Sequence, residues 1–129
     1  MNLRAGFLMA GMIFAASAGP AAAVSAPADY SEAAFAAAQR EGRTIVVETY
    51  ASWCLPCKLQ APILDRLRRQ PEFSQLRVFR IGEESPKSDW KRFRLAGYGT
   101  LVIFKGKREV GRGNPTSEAA IAKLLRLAG

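Results

Sequence analysis

Histidine is absent from the 129 residues of this chain, and cysteine occurs only twice, as Cys54 and Cys57. Without histidine, neither a Ser-His-Asp nor a Cys-His mechanism can operate within the chain. A structural zinc ion normally takes four Cys or His ligands, so two cysteines cannot close such a site alone. Haem attachment through C-x-x-C-H fails as well, because Lys58 follows Cys57. Acidic residues are also few: 11 Asp and Glu against 19 Lys and Arg leave a formal net charge of +8. What survives is chemistry between two thiols.

Long apolar runs are scarce too. The prominent one, Ala5–Ala18, is shorter than the roughly 20 residues that a membrane-spanning helix needs. It follows the short basic start Met1-Asn2-Leu3-Arg4 and precedes the small residues Ala21-Ala22-Ala23, the arrangement of an export signal. Residues 1–23 are therefore predicted to be a cleaved signal peptide and residues 24–129 one compact domain, placed in the periplasm; the competing reading is a membrane anchor. No cysteine lies near the cleavage point, which excludes attachment through a lipidated cysteine there. Cleavage removes Arg4 alone among the charged residues, so the exported domain stays strongly basic. Such a surface attracts acidic partners or anionic lipid. The basic residues are scattered with little aromatic interleaving, so no nucleic-acid partner is expected.

The pattern along the domain alternates between helical and strand periods. Asp29-Tyr30-Ser31-Glu32 resembles a capping box built on Asp29, opening an alanine-rich helix to Gln39 that Gly42 ends. Thr44–Tyr50 is β-branched and aromatic, as in a strand buried on both faces, with Glu48 as its odd member. From Cys54 to Arg69 the residues Leu55, Leu59, Ile63, Leu64 and Leu67 suggest a helical apolar stripe, kinked at Pro62. Leu76–Ile81 reads as a strand, Ser85–Leu95 as a helix and Leu101–Phe104 as a strand. A turn at Lys105-Gly106-Lys107 leads into a fourth strand, Arg108–Gly111, and Asn114–Glu118 opens a last helix to Leu127. This order is that of an α/β protein ending in an antiparallel hairpin.

Cys54 and Cys57 sit where the first long strand hands over to a helix. A spacing of three across the first helical turn brings their Cα atoms to roughly 5 to 6 Å, within the reach of a disulfide. The free N–H groups and positive pole at that helix end favour an anion, which lowers the pKa of Cys54 and makes it the predicted nucleophile. Cys57, one turn deeper, is predicted to resolve the mixed disulfide by attacking Cys54. The competing reading is an inert staple, but so small a loop constrains the unfolded chain little.

Trp53-Cys54-Leu55-Pro56-Cys57-Lys58 resembles the W-C-x-P-C-K active-site motif of the thioredoxin family, and Ala61-Pro62-Ile63-Leu64-Asp65 is similar to the kinked helix that follows it. The likeness extends over about residues 31–129 and is sharpest over 48–65. It implies an α/β thioredoxin fold, with a central mixed four-stranded or five-stranded sheet flanked by helices, and a thiol–disulfide oxidoreductase that needs no bound cofactor or metal. It also places Glu48 where the family keeps a buried carboxylate behind the second cysteine, a proton shuttle for the resolving thiol. A lone acid inside an apolar strand should in any case have a raised pKa, as a general base near neutrality requires. The alternative is an edge-facing, solvated glutamate. Arg80 aligns with a lysine beside that carboxylate.

By the same resemblance Trp53, Leu55 and Pro56 form part of the surface that meets the substrate, Trp53 shielding the thiols or simply packing, and Tyr50 stands where many members have an aromatic. Tyr98 and Gly99 line the substrate side of the site. Gly99 stands where the family usually has a cis-proline, and its peptide bond is predicted to be trans, since a non-proline cis bond costs about 2.5 to 4 kcal/mol. The resemblance implies a monomeric periplasmic reductant of thiol-containing or disulfide-containing client proteins, with a membrane thiol transporter as electron donor. Two other readings stay open: a module holding Cu(I) between the two thiolates, and a disulfide-donating oxidant, although oxidants of this superfamily usually carry a helical insertion for which residues 24–129 leave no room.

Overall fold

A computed structural model describes residues 27–129. The expected signal segment and its cleavage point lie outside them. Among the described residues nine elements follow in order: β1 (Ala28–Asp29), α1 (Glu32–Arg40), β2 (Thr44–Thr49), α2 (Leu55–Leu67), β3 (Arg77–Ile81), α3 (Lys87–Arg92), β4 (Leu101–Lys105), β5 (Arg108–Gly113) and α4 (Glu118–Leu125), with short 3-10 turns at Pro71–Phe73 and Arg126–Ala128. No helix among the described residues is long and apolar enough to cross a membrane.

The five strands form one mixed sheet in the order β1-β3-β2-β4-β5. β3 runs parallel to both β1 and β2, whereas β4 is antiparallel to β2 and to β5. The sheet is thus five-stranded, with β1 as the strand that the residue pattern does not announce. Two residues carry no readable period, and the pairing of Asp29 with Arg80 recruits the segment into the sheet edge. Asp29 is therefore not the helix cap. Ser31 caps α1, its hydroxyl accepting from the Ala34 N–H at 3.1 Å.

Successive strand residues alternate between faces, and both faces of the sheet are covered. On one, Val46, Val78, Leu101 and Ile103 pack with Ile63, Leu64 and Leu67 of α2 and Ile121 and Leu125 of α4. On the other, Ile45, Val47, Phe79 and Val102 pack with Phe35 of α1 and with Phe93 and Phe104. The Phe35 ring lies 5.8, 5.2 and 5.3 Å from those of Phe79, Phe93 and Phe104, all edge-on, an arrangement that aromatic quadrupoles favour. β2, central in the sheet, is buried from Ile45 to Thr49, as its continuous apolar run requires. The hairpin of β4 and β5 turns at Gly106, whose φ of +55° suits glycine. α3 is shorter than the pattern suggests, closing at Arg92, and α4 opens at the Ser117 cap.

Candidate active site

β2 ends at Thr49, and the chain turns through Tyr50–Trp53 before α2 begins at Leu55. Cys54 is the N-cap of α2, with extended φ and ψ of −81° and 112°, and Pro56 occupies the first turn, where its missing N–H costs nothing. Cys54 and Cys57 are joined in a disulfide with a Cα–Cα distance of 5.3 Å. The Cys57 backbone N–H points at Cys54 Sγ, 3.3 Å away. That donor, added to the positive end of a 13-residue helix, favours negative charge on the Cys54 sulfur. Cys57 is the deeper residue, 1% exposed against 5% for Cys54, and its sulfur lies 3.4 Å from the Thr49 carbonyl oxygen.

The face of α2 that enters the core differs from the predicted stripe. Cys57, Gln60, Ile63, Leu64 and Leu67 are buried, while Leu55 and Leu59 point outward, 66% and 45% exposed. Trp53 is 64% exposed and donates from Nε1 to Glu83 Oε1 at 2.7 Å. It does not pack into the core, and with Leu55 it presents exposed apolar area on either side of Cys54 in the chain.

Glu48 is buried, which removes the solvated alternative. It shares a sheet face with Val46, the face covered by α2, the helix that carries Cys57. Arg80, its direct partner on β3, donates from Nε to Glu48 Oε1 at 2.9 Å. Burial pushes the Glu48 pKa up, while Arg80 and, less strongly, Arg68 pull it back. Arg68 was not a candidate from the sequence: it is buried at the end of α2 and pairs with Asp65. The Arg80 guanidinium lies 3.8 Å from the Tyr50 ring centroid and lines an open groove of about 500 Å³ with Tyr50, Ala51, Ser52 and Glu83. The Glu48 carboxylate thus has a partly buried cation beside it that also lines the groove.

The Tyr98–Gly99 loop lies on the other side of Cys54. No described peptide bond is cis, and Gly99 has φ of +79°. Its N–H donates to the Thr49 carbonyl at 3.3 Å, a bond that proline could not make. Thr49 holds the loop through its side chain too, accepting from the Thr100 N–H at 2.8 Å and donating to the Gly97 carbonyl at 3.0 Å. A Cβ on Gly99 would lie 3.0 Å from Pro56 Cβ and 3.9 Å from Cys54 Sγ, so the loop backbone sits directly against the disulfide. The Tyr98 ring packs edge-on against Trp53 at 4.9 Å and Trp90 at 5.1 Å. Cys54, Cys57, Trp53, Pro56, Tyr98 and Gly99 therefore converge at one end of the sheet, Leu55 stands on its rim, and Glu48 precedes in β2 the Thr49 whose carbonyl meets Cys57 Sγ.

A family model described as Thioredoxin matches residues 26–126. The chain belongs to the thioredoxin family. Thioredoxin-1 of Saccharomyces cerevisiae is 30% identical over 94 residues, which cover 70% of this chain and 86% of that protein. Protein disulfide-isomerase erp38 of Neurospora crassa is 31% identical over 72 residues, covering 54% of this chain and 20% of that longer protein. Among solved structures, Trxlp from Edwardsiella tarda superposes with a TM-score of 0.72 at 36% identity, covering 76% of this chain and 96% of that one. Fasciola hepatica thioredoxin, at 22% identity and a TM-score of 0.67 over 80% of this chain and 99% of that one, shares the fold. With a disulfide-forming Cys-x-x-Cys pair at the helix start, this family member is a thiol–disulfide oxidoreductase acting on thiol or disulfide substrates.

Two contributors to the site escaped the sequence reading besides Arg68. Thr49 falls inside the β-branched strand pattern, and Gln60 is not among the residues of the predicted apolar stripe of α2. The available signal for Gln60 was its spacing: it lies three residues from Cys57 and from Ile63, on the buried side.

Proposed function

We propose that the chain is an exported reductant, cleaved after Ala23 and working in the periplasm as a monomer, with a membrane thiol transporter renewing its dithiol. The Cys54 sulfur, seated at the α2 N-terminus with a backbone N–H aimed at it, supplies the attacking thiolate whichever way electrons pass. The observation that carries the reductive assignment is the segment between β3 and β4: its only helix is the six-residue α3, without the helical insertion usual among the oxidants of this superfamily.

In the reductive cycle the Cys54 thiolate attacks one sulfur of a client disulfide, forming a mixed disulfide and releasing the other client sulfur as a thiolate that takes up a proton. Glu48, ionised and held by Arg80, accepts the Cys57 proton. The Cys57 thiolate attacks Cys54 Sγ, breaking the mixed disulfide and releasing the second client thiolate, which is protonated in turn. The client gains two electrons and two protons, and the chain is left as the Cys54–Cys57 disulfide seen here. The exposed rim of Trp53 and Leu55 supplies apolar area where the client docks.

Acid quenching of cells followed by thiol alkylation reads the direction of flow. A reductant holds Cys54 and Cys57 largely reduced in the exported fraction and becomes oxidised when the membrane donor is deleted. A pair that is oxidised in both backgrounds contradicts the reductive assignment.

A further inference from the structure

Gly99 lacks a side chain and a proline ring, so nothing in its own covalent structure fixes the loop that faces Cys54. Besides Thr49, two side chains from distant elements do so instead. Gln60 Nε2 donates to the Gly99 carbonyl at 2.7 Å, and Asn114 Nδ2 donates to the same oxygen at 3.0 Å. The Gln60 amide also reaches the Pro115 carbonyl at 3.0 Å, and Asn114 Nδ2 reaches Thr100 Oγ1 at 3.1 Å. With the Gly99 N–H already on the Thr49 carbonyl, both lone pairs and the donor of this glycine are occupied. Gln60 is 1% exposed, and a polar side chain that deep is costly unless it is hydrogen-bonded. Its position in an otherwise apolar helix face is accounted for by the loop it holds.

We propose that Gln60 and Asn114 are positioning residues that lock the Gly99 loop against Cys54, substituting for the rigidity a proline would give, and that this lock selects protein disulfides over small ones. The proposal rests on the reductive function argued above. A protein client brings an extended segment that must lie along Tyr98 and Gly99 while its disulfide meets Cys54. A small aromatic disulfide needs only the sulfur and ignores the loop. Freeing the Gly99 carbonyl lets a glycine with access to both signs of φ wander, and the client then orders the loop as it binds, which weakens binding without altering the sulfur chemistry.

The test uses Gln60→Met, which keeps volume and removes both donors, and Asn114→Ala, an exposed position whose loss leaves the core intact. For each, kcat and KM are measured for insulin disulfides and for 5,5′-dithiobis(2-nitrobenzoate), with dithiothreitol as electron source, alongside the reduction potential. Q60M is expected to raise KM for insulin about five- to tenfold and N114A about two- to fourfold, the size of lost hydrogen bonds. The rate on the small disulfide and the potential stay at their wild-type values. An insulin KM unchanged in N114A and Q60M, or equal slowing on both substrates, overturns the proposal and leaves the reductive function standing. Should Q60M fail to fold, N114A carries the same comparison by itself. A wild-type chain that reduces neither substrate overturns the reductive function and this proposal together.

Discussion

Arg80 holds Glu48 across neighbouring strands, Nε to Oε1 at 2.9 Å, yet burial still lifts the Glu48 pKa above its ordinary 4.5. The two effects oppose each other, and burial is the larger. Arg80 is partly open to the groove and leans on the Tyr50 ring, so it keeps its charge without being isolated in the core. Glu48, by contrast, is enclosed, with Arg80 beside it lining the groove.

Glu48→Gln should therefore slow resolution of the mixed disulfide by about 10²-fold, the usual size of a general-base contribution. The pH profile of insulin reduction should lose its acidic limb in the variant. The check is stopped-flow reduction of a preformed Cys54 mixed disulfide between pH 5 and 8. An unchanged profile removes Glu48 from the proton path.

Stability should move the opposite way. Below about pH 4.5 Glu48 is neutral in both folded and unfolded chains and exacts no penalty. As pH rises from 4.5 through the raised folded value, the unfolded chain ionises first and stability is lost. Glu48→Gln abolishes that loss, so urea unfolding should show the variant gaining on the wild type across this window and holding its advantage above it. A constant difference at all pH values would show that the Glu48 pKa is unperturbed by folding.

Gly99→Ala places a Cβ 3.0 Å from Pro56 Cβ in a residue with φ of +79°. Left-handed backbone costs a non-glycine residue roughly 1 to 2 kcal/mol, and the steric clash adds to it. Chemical denaturation should show a loss of about 2 kcal/mol or more. A loss below about 0.5 kcal/mol would mean that the loop readily adopts another conformation.

The two faces of the sheet, the position of the dithiol and the family itself were legible because each rests on local pattern: continuous β-branched residues in Thr44–Thr49, and a six-residue motif at the start of α2. The burial of Glu48 could be suspected for the same reason. What stayed hidden depends on contacts far apart in sequence. β1 is two residues long and exists only because Ala28 and Asp29 find β3. Leu55 and Leu59 fit a helical stripe as well as Cys57 and Gln60 do, and only the packing of α2 on the sheet turns the second pair inward. Gln60 then meets a carbonyl 39 residues away and Asn114 meets the same one, a convergence without any signature in either segment.

Trp53→Ala removes an exposed ring whose losses are the edge-on packing on Tyr98 and the bond to Glu83. Stability should fall by only about 1 kcal/mol, while KM for insulin should rise severalfold and the small-disulfide rate should change little. A fall in stability of about 3 kcal/mol or more would assign Trp53 to the core rather than to the rim that meets clients.

The most direct test of a reductive Cys54–Cys57 couple is its reduction potential, measured by equilibrating residues 24–129 against dithiothreitol or glutathione buffers and quantifying free thiol. The expected value lies near the roughly −270 mV of thioredoxin itself. A value near −120 mV, that of a strong disulfide donor, would contradict it and reverse the direction in which electrons pass between this protein and its clients.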